Sequence, residues 1–342
     1  MAREWLYGKT LDELSGVAAG LGLPRFAARQ LAHWLYRRQV GSIDAMTNLS
    51  LRAREALAAR YEVGSIAPAD VAVSTDGTKK YLFPTLSGGY IESAFIPDGD
   101  RATLCVSSQA GCKMGCKFCM TARQGFQHQL SAGEILNQVR SLPERDALTN
   151  LVYMGMGEPL DNVDNVLRSL EVLTADWGYA WSPTRITLST IGVLPALRRF
   201  LDESRVHLAV SLHNPFAAGR AEIMPVQKIY PLADVVALLR TYDFTHQRRV
   251  SFEYIVLEGI NDTPAHVREL CRLLGGLPCR INLIRFHRIP GSPYASPPDD
   301  RVVAFRDALT RRGLMTTIRA SRGEDIQAAC GLLSTRAHTK SE

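Results

Sequence analysis

Apolar and polar positions change period twice along the chain, at about residues 65 and 104. Over residues 1–65 the apolar residues recur at helical spacing. Leu11, Leu14 and Val17 follow Thr10 and Glu13, a pair spaced to close a capping box in which each side chain takes the other's free backbone N–H. Pro24 can open a second helix carrying Phe26, Leu31, Trp34 and Leu35 on one side, and a third is predicted over 51–61, giving a small three-helix domain. Over 66–104 the period drops to two, and short β-rich runs are separated by Asp76-Gly77, Gly88-Gly89 and Asp98-Gly99, dipeptides that supply the positive φ angles of tight hairpins. This predicts a β-meander. In its strand 90–96, alternation puts Glu92 on the face of Tyr90, Ala94 and Ile96, where a carboxylate is either a partly buried acid with a task or an edge residue facing water.

After residue 104 apolar runs at 104–106, 151–154, 185–188, 207–212, 252–256 and 281–286 alternate with helical stretches. These begin near Ala132, Val163, Val193, Leu232, Pro264 and Asp299, and Ser131 with Glu134 caps the first. Six βα units predict an α/β fold with a parallel sheet and helices outside, either doubly wound or an open, partial TIM barrel. Reactive residues are then expected at the C-terminal ends of the strands. The expected organisation is a helical domain over 1–65, a β extension over 66–104, a (β/α)6 core over 105–320 and a mobile tail, small and charged, over 321–342.

Composition narrows the class. With 342 residues, 46% hydrophobic and 22% charged, the chain is ordinary globular material, long enough for two domains or one large domain with an appendage. No run approaches eighteen apolar residues and residues 1–10 hold no apolar signal core, so a cytoplasmic protein with no membrane partner is expected. Lys plus Arg exceed Asp plus Glu by 40 to 34, and residues 1–65 hold nine against six, half of the excess. That bias suits a lightly basic docking module and equally a solvated helical surface.

Seven cysteines is an odd number for a disulfide framework, and Cys112, Cys116 and Cys119 fall within eight residues. This Cys-x3-Cys-x2-Cys run offers three thiolates from one loop. A structural zinc needs a fourth ligand, for which His128 is the nearest candidate, whereas an iron-sulfur cubane held by three cysteines leaves one iron open to a small ligand. The second reading is preferred over the zinc site. Cys271 and Cys279, without metal-like partners, are read as structural.

The triad at this spacing, after a first βα strand, resembles the radical S-adenosylmethionine (AdoMet) superfamily. Cys105-Val-Ser-Ser-Gln-Ala-Gly-Cys112, Tyr153-Met-Gly-Met-Gly-Glu-Pro159, Ser211-Leu-His213 and the tail Arg322-Gly-Glu-Asp-Ile-Gln-Ala-Ala-Cys330 together resemble the RlmN/Cfr family of RNA methyltransferases over nearly the whole chain. The resemblance implies a partial (β/α)6 TIM-like barrel and a [4Fe-4S] cluster on Cys112, Cys116 and Cys119. It also implies AdoMet contacts from Gly157, Glu158, Ser189, Ser211, Leu212, His213 and Asn282, the pattern being followed loosely after Asn282.

Further implied is a reaction that puts a methyl group on a ring carbon of adenine, too weak a nucleophile to attack a sulfonium. One AdoMet methylates Cys330, and a second is cleaved to a 5′-deoxyadenosyl radical that takes hydrogen from the S-methyl group. The carbon radical adds to the adenine, Glu92 accepts the ring proton, and Cys105 attacks the Cys330 sulfur in a transient disulfide that frees the RNA. The implied targets are C2 of adenine 2503 in 23S rRNA and adenine 37 of some tRNAs, docked on the N-terminal helices, with a flavodoxin or ferredoxin as electron donor to a monomeric enzyme. Three alternatives stay open: a Cfr-type adenine-C8 methyltransferase, a glycyl-radical activating enzyme that needs neither Cys105 nor Cys330, and a zinc-stabilised RNA-binding protein.

Overall fold

Thr10 and Glu13 close their capping box at the start of α1 (Leu11–Gly20). The short α2 (Ala27–Ala32), continued by one widened turn over His33–Arg37, and α3 (Leu51–Arg60) complete the helical region, whose ends are tied by the parallel pair β1 (Glu4–Trp5) and β2 (Tyr61–Glu62). The computed structural model describes residues 3–244, 249–329 and 331–335. Leu14, Leu31, Leu35 and Leu57 are fully buried, and each contributes about 1.5–3 kcal/mol relative to exposure. Their core is continuous with that of the rest of the chain.

The turn dipeptides act as predicted: Gly77, Gly88, Gly89 and Gly99 take positive φ between β3 (Asp70–Val73), β4 (Lys79–Pro84), β5 (Tyr90–Asp98) and β6 (Arg101–Cys105). The meander is part of the main sheet, because β5 pairs antiparallel with β6, Ala94 facing Cys105. A two-stranded ribbon follows, β7 (Gln109–Ala110) with β8 (His128–Gln129), enclosing α4 (Met120–Gln124).

Beyond it the βα rhythm is realised. The parallel strands β9 (Asn150–Tyr153), β10 (Ile186–Thr190), β11 (His207–Ser211), β12 (Val250–Val256), β13 (Cys279–Arg285) and β14 (Thr316–Ile318) run in sequence order from β6. Between them lie α5 (Ala132–Arg140), α6 (Val163–Thr174), α7 (Leu194–Glu203), α8 (Ala217–Ile223), α9 (Leu232–Leu239), α10 (Pro264–Leu274) and α11 (Asp299–Thr310). The ten-stranded sheet thus reads β14-β13-β12-β11-β10-β9-β6-β5-β4-β3, a partial TIM-like arrangement whose parallel part is continued by the meander. The seventh parallel strand, β14, was not expected: its three residues, Thr-Thr-Ile, carry no apolar run.

Helix α5 is buried along its whole length because both sides are covered. Its inner side faces the sheet, and the N-terminal region lies on its outer side, where a Cβ on Gly8 would stand 2.4 Å from Gly133 N and a Cβ on Gly133 2.7 Å from the Tyr7 carbonyl. Only two glycines allow that approach. Arg140 stacks 4.7 Å over the Tyr7 ring and donates to the Val40 carbonyl, fastening the helical region to the barrel. Among the described residues no helix is long and apolar enough to cross a membrane.

Candidate active site

The cysteine loop leaves the sheet through a crossing only glycine permits. Gly111 has φ +75° and a Cβ there would lie 1.7 Å from the Gly125 carbonyl, which accepts the Cys112 N–H at 3.1 Å. Cys112, Cys116 and Cys119 line one cavity of about 730 Å³ that runs inside the barrel from strand starts such as Asn150, His207 and Arg249 to the C-terminal ends at Ser211 and Glu158. Burial pushes the Cys112 thiol up to about 12, with Cys119, Glu158 and Asp161 acting the same way. Cys116 is raised by burial, Cys119 and Cys112, and drawn back by Arg220.

Arg220 is fully buried, and its partners are neutral oxygens: Nε donates to Leu212 O at 3.1 Å, Nη2 to Ile191 O at 3.0 Å and Ser211 O at 2.9 Å, and Nη1 to Gln227 Oε1 at 2.7 Å. It ties the ends of β10 and β11 beneath the loop. Burial brings its pKa down to about 10, and the charge of Cys116 opposes that shift.

Gly155 and Gly157 let the chain after β9 pass within contact of its neighbours, since a Cβ would meet Val106 O at 2.7 Å and the Gln109 side chain at 2.5 Å. Glu158 is buried, and both carboxylate oxygens are engaged: Oε1 accepts from Thr190 Oγ1 at 2.6 Å and Leu160 N at 3.0 Å, and Oε2 from Ile191 N at 2.9 Å. Burial nevertheless raises its pKa to about 7. In this arrangement Glu158 organises the ends of β9 and β10.

His213 holds a left-handed φ of 57°, a sparsely populated region for its residue type. Its Nδ1 accepts the Ile255 N–H at 3.0 Å and its carbonyl accepts Asn261 Nδ2 at 2.6 Å, which leaves the neutral ring's proton on Nε2. Burial and Arg220 push its pKa down to about 3. Phe118, between the second and third loop cysteines, packs edge-on against this ring at 4.8 Å.

Of the residues singled out in the sequence, the cavity collects Cys105, the three loop cysteines, Gly157, Glu158, Ser189, Ser211, His213 and Asn282. Leu212 is not among its lining. It sits fully buried in the core, with its carbonyl on Arg220. Glu92 is also not on the cavity wall: it is 1% exposed, paired with Lys80 at 3.0 Å, and its Oε2 accepts the Ser334 N–H at 2.8 Å. Cys330 lies outside the described residues, but the tail on either side of it is packed. Ala328 joins Cys105 and Ala94 in a small apolar cluster, and Met120 N donates to Gly331 O, Thr121 Oγ1 to Leu333 O and Thr335 N to Gln124 Oε1. The tail expected to be mobile is therefore, over 323–329 and 331–335, laid against the meander and α4. Among the described residues no disulfide is formed.

Residues 106–274 match the Radical SAM superfamily, and residues 5–63 match the ribosomal RNA large subunit methyltransferase N-terminal domain. A Bacteroides thetaiotaomicron protein named "Probable dual-specificity RNA methyltransferase RlmN" is 57% identical over 335 residues, covering 98% of this chain and 97% of its own. The dual-specificity RNA methyltransferase RlmN of Syntrophobacter fumaroxidans is 46% identical over 328 residues, 95% of this chain and 96% of its own. The chain belongs to the RlmN family of radical SAM RNA methyltransferases. A crystal structure of a radical SAM methyltransferase from Sphaerobacter thermophilus superposes with a TM-score of 0.89 at 41% identity, over 96% of this chain and 99% of the other.

Membership of the RlmN family implies a [4Fe-4S] cluster and AdoMet. The donor set fits the cluster: three buried or half-buried thiols face one cavity, those of Cys112 and Cys116 are raised by burial and by their neighbours in the loop, and a buried cation lies nearby. A mononuclear tetrahedral zinc would draw sulfurs to about 3.8 Å from each other, given metal–sulfur bonds near 2.3 Å. Among the described residues no three His, Cys, Asp or Glu side chains are grouped to hold a metal ion.

Sequence reasoning missed Arg220, Lys80 and Glu253. The last is 3% exposed on β12, opposite Ser211 and Asn282, and accepts from Asn282 Nδ2 at 2.7 Å. A single carboxylate inside the apolar run 250–256 was the available signal for Glu253. Arg220 left none, because a buried arginine satisfied by carbonyls looks in sequence like a surface helix residue.

Proposed function

We propose that this RlmN-family enzyme methylates C2 of adenine 2503 in 23S rRNA and adenine 37 of some tRNAs, carrying the methyl group on Cys330. The supporting observation is the packing of Cys105 with Ala94 and Ala328, two residues before Cys330, on the wall of the cavity lined by the three loop cysteines. Cys112, Cys116 and Cys119 would hold the cluster, which with AdoMet supplies the hydrogen-abstracting radical. Gly157 gives AdoMet backbone access, Glu158 orders the strand ends around it, and Ser189, Ser211, His213 and Asn282 present polar atoms, the His213 Nε2–H among them.

Once the methylene carbon of Cys330 is bonded to the adenine ring and the ring radical has passed its electron to a one-electron acceptor, which the oxidised iron-sulfur cluster would supply, the proton on that ring carbon must leave. Glu92 is the carboxylate assigned to it. Ser334 now covers Glu92, so the tail segment after Cys330 lifts off when RNA enters. The Cys105 thiolate then attacks the Cys330 sulfur; the S–C bond breaks toward carbon, which takes a proton to become methyl, and a thiol reductant later opens the disulfide. The base must be unstacked to be reached. Residues 1–65 are assigned as the RNA-docking module, with a flavodoxin or ferredoxin supplying electrons in the cytoplasm to a monomeric enzyme.

Anaerobic incubation of the reconstituted enzyme with AdoMet, a reductant and unmodified 23S rRNA, then nucleoside mass spectrometry, tests this reading. The expected product is 2-methyladenosine. An 8-methyladenosine product would overturn the C2 assignment and keep the cysteine chemistry, and 5′-deoxyadenosine without methylated RNA would overturn the substrate.

A further inference from the structure

The tail that carries Cys330 is fastened to the meander by two carboxylates, Asp325 of the tail and Asp76 of the meander. Asp325 accepts from Ser74 Oγ at 2.6 Å and from Thr75 N at 3.1 Å. Asp76, on the same hairpin, accepts from the tail's Gly323 N at 2.9 Å and from Thr78 N at 2.9 Å. The bonds are reciprocal, each strand of the contact offering one acid to the other's backbone. Gly323 has φ +62° and a Cβ there would lie 2.7 Å from Thr78 Cγ2, so glycine is what lets the tail seat on the hairpin. Ala328 N closes a tight turn onto Gly323 O at 2.7 Å, and Arg322 pairs with Asp98 at 2.7 Å. Asp76 and Asp325 are exposed, while Ser74, Thr78 and Gly323, whose groups donate to them, are buried.

We infer that Asp325, with Asp76 opposite, is a positioning residue that keeps Cys330 within reach of Cys105 during turnover. This rests on the methyl-carrier reading of Cys330 given above. The downstream attachment, residues 331–335 on α4, also covers Glu92, and the base cannot act until it opens. Upstream, Ala328 packs on Cys105 and Ala94 without a hydrogen bond to them, and the clasp is the nearest hydrogen-bonded anchor to another part of the chain, five residues from Cys330. Upstream of Asp325 the tail is also held at Glu324 by His287, at Gly323 by Asp76 and at Arg322 by Asp98, and beyond these at Arg319, whose N–H donates to Leu283 O at 2.8 Å, eleven residues from Cys330. For a flexible tether, local concentration falls as the −3/2 power of length, so losing Asp325 alone, which leaves Asp76 on Gly323 seven residues from Cys330, dilutes Cys330 at Cys105 by less than about twofold, and losing every contact back to Arg319 dilutes it by about threefold. Losing the ordered turn adds to this.

The test compares the wild-type holoenzyme with Asp325→Ala, Ser74→Ala, the double variant and Asp325→Asn. Two quantities are read: hydrogen exchange of amides 323–329, and the equilibrium of the Cys105–Cys330 disulfide in glutathione redox buffers. Asp325→Ala is expected to speed exchange and to lower the effective concentration of the pair by up to about twofold, since Asp76 still holds Gly323. Asp325→Asn, which keeps one acceptor oxygen, recovers part of both. Ser74→Ala added to Asp325→Ala changes little further, because the bond between the two side chains is already gone and only the short turn bond from Asp76 N is lost in addition. In turnover, 5′-deoxyadenosine formed per methyl transferred rises in Asp325→Ala.

Unchanged exchange in Asp325→Ala overturns the clasp. Faster exchange with an unchanged disulfide equilibrium overturns its positioning role. Should the wild type form no Cys105–Cys330 disulfide at any poise, the methyl-carrier reading itself falls, a result distinguishable from failure of the clasp because it needs no variant.

Discussion

The two halves of the cavity are built differently. On the cluster side, Arg220, Glu158 and His213 are buried, and their bonds run to main-chain groups at successive strand ends. On the tail side, Cys105 sits on β6, and the tail residues 323–329 and 331–335, from a distant part of the chain, are held by side chains of a hairpin, of Glu92 on β5 and of a five-residue helix. Buried polar groups satisfied by backbone are costly to disturb, whereas hydrogen bonds at the surface exchange with water for little net free energy. The comparison teaches that the half assigned to AdoMet is preformed and the half assigned to methyl delivery is detachable.

Removing a cysteine from each half separates them most sharply. Cys116→Ala should abolish both 5′-deoxyadenosine formation and methylation, with iron and sulfide lost on analysis. Cys330→Ala should abolish methylation while iron content and the cluster's spectroscopic signature persist. Cluster loss in Cys330→Ala would mean that the halves are not independent.

The next effect is on stability. Arg220→Met strands several buried oxygens, so urea unfolding should show a loss of about 3–5 kcal/mol, the range for opening a buried charged network. Arg322→Ala, which removes only an exposed pair of the tail, should cost less than about 1 kcal/mol. Equal losses would erase the contrast.

A pH effect sharpens the cluster half. The folded pKa of His213 is depressed to about 3 against an unfolded value near 6.5, so the folded state keeps the ring neutral. Its contribution is present above pH 6.5 and is lost as pH falls from there toward 3, because the unfolded chain takes the proton first. At pH 5 the loss is about 2 kcal/mol. His213→Asn, which offers an oxygen in place of Nδ1 and tolerates positive φ, should flatten that part of the stability profile in urea unfolding at pH 7 and 5. An unchanged slope would assign it to other groups.

Much of the barrel was legible in the sequence, and the reasons are local. Capping boxes at Thr10 and Ser131 and helix starts at Val163, Leu232, Pro264 and Asp299 are set by side chains within one turn, so pattern alone locates them. The loop cysteines were legible because their spacing is itself the chemistry. What pattern could not give is what depends on contacts far apart in the chain. The meander's incorporation into the main sheet needs β6 to pair with both β5 and β9, and β14 has too few apolar residues to announce itself. The packing of the tail rests on Asp76 meeting Gly323, 247 residues on, and no window of sequence contains both. Glu92 illustrates the middle case: alternation marked it as an acid on an apolar face, and the structure adds Lys80 and Ser334, which alternation could not supply.

The most direct measurement uses AdoMet bearing a fully deuterated methyl group, with enzyme purified free of prior methylation, and mass spectrometry of both the Cys330 peptide and the RNA nucleoside. The account predicts a trideuteromethyl group on Cys330 before turnover. It predicts that two deuteriums reach the adenine and the third appears in 5′-deoxyadenosine, because hydrogen is taken from the S-methyl group and the released carbon is completed by a proton. A product carrying all three deuteriums, with Cys330 unmodified, would contradict it and mean that the methyl group passes from AdoMet to RNA without stopping on the tail.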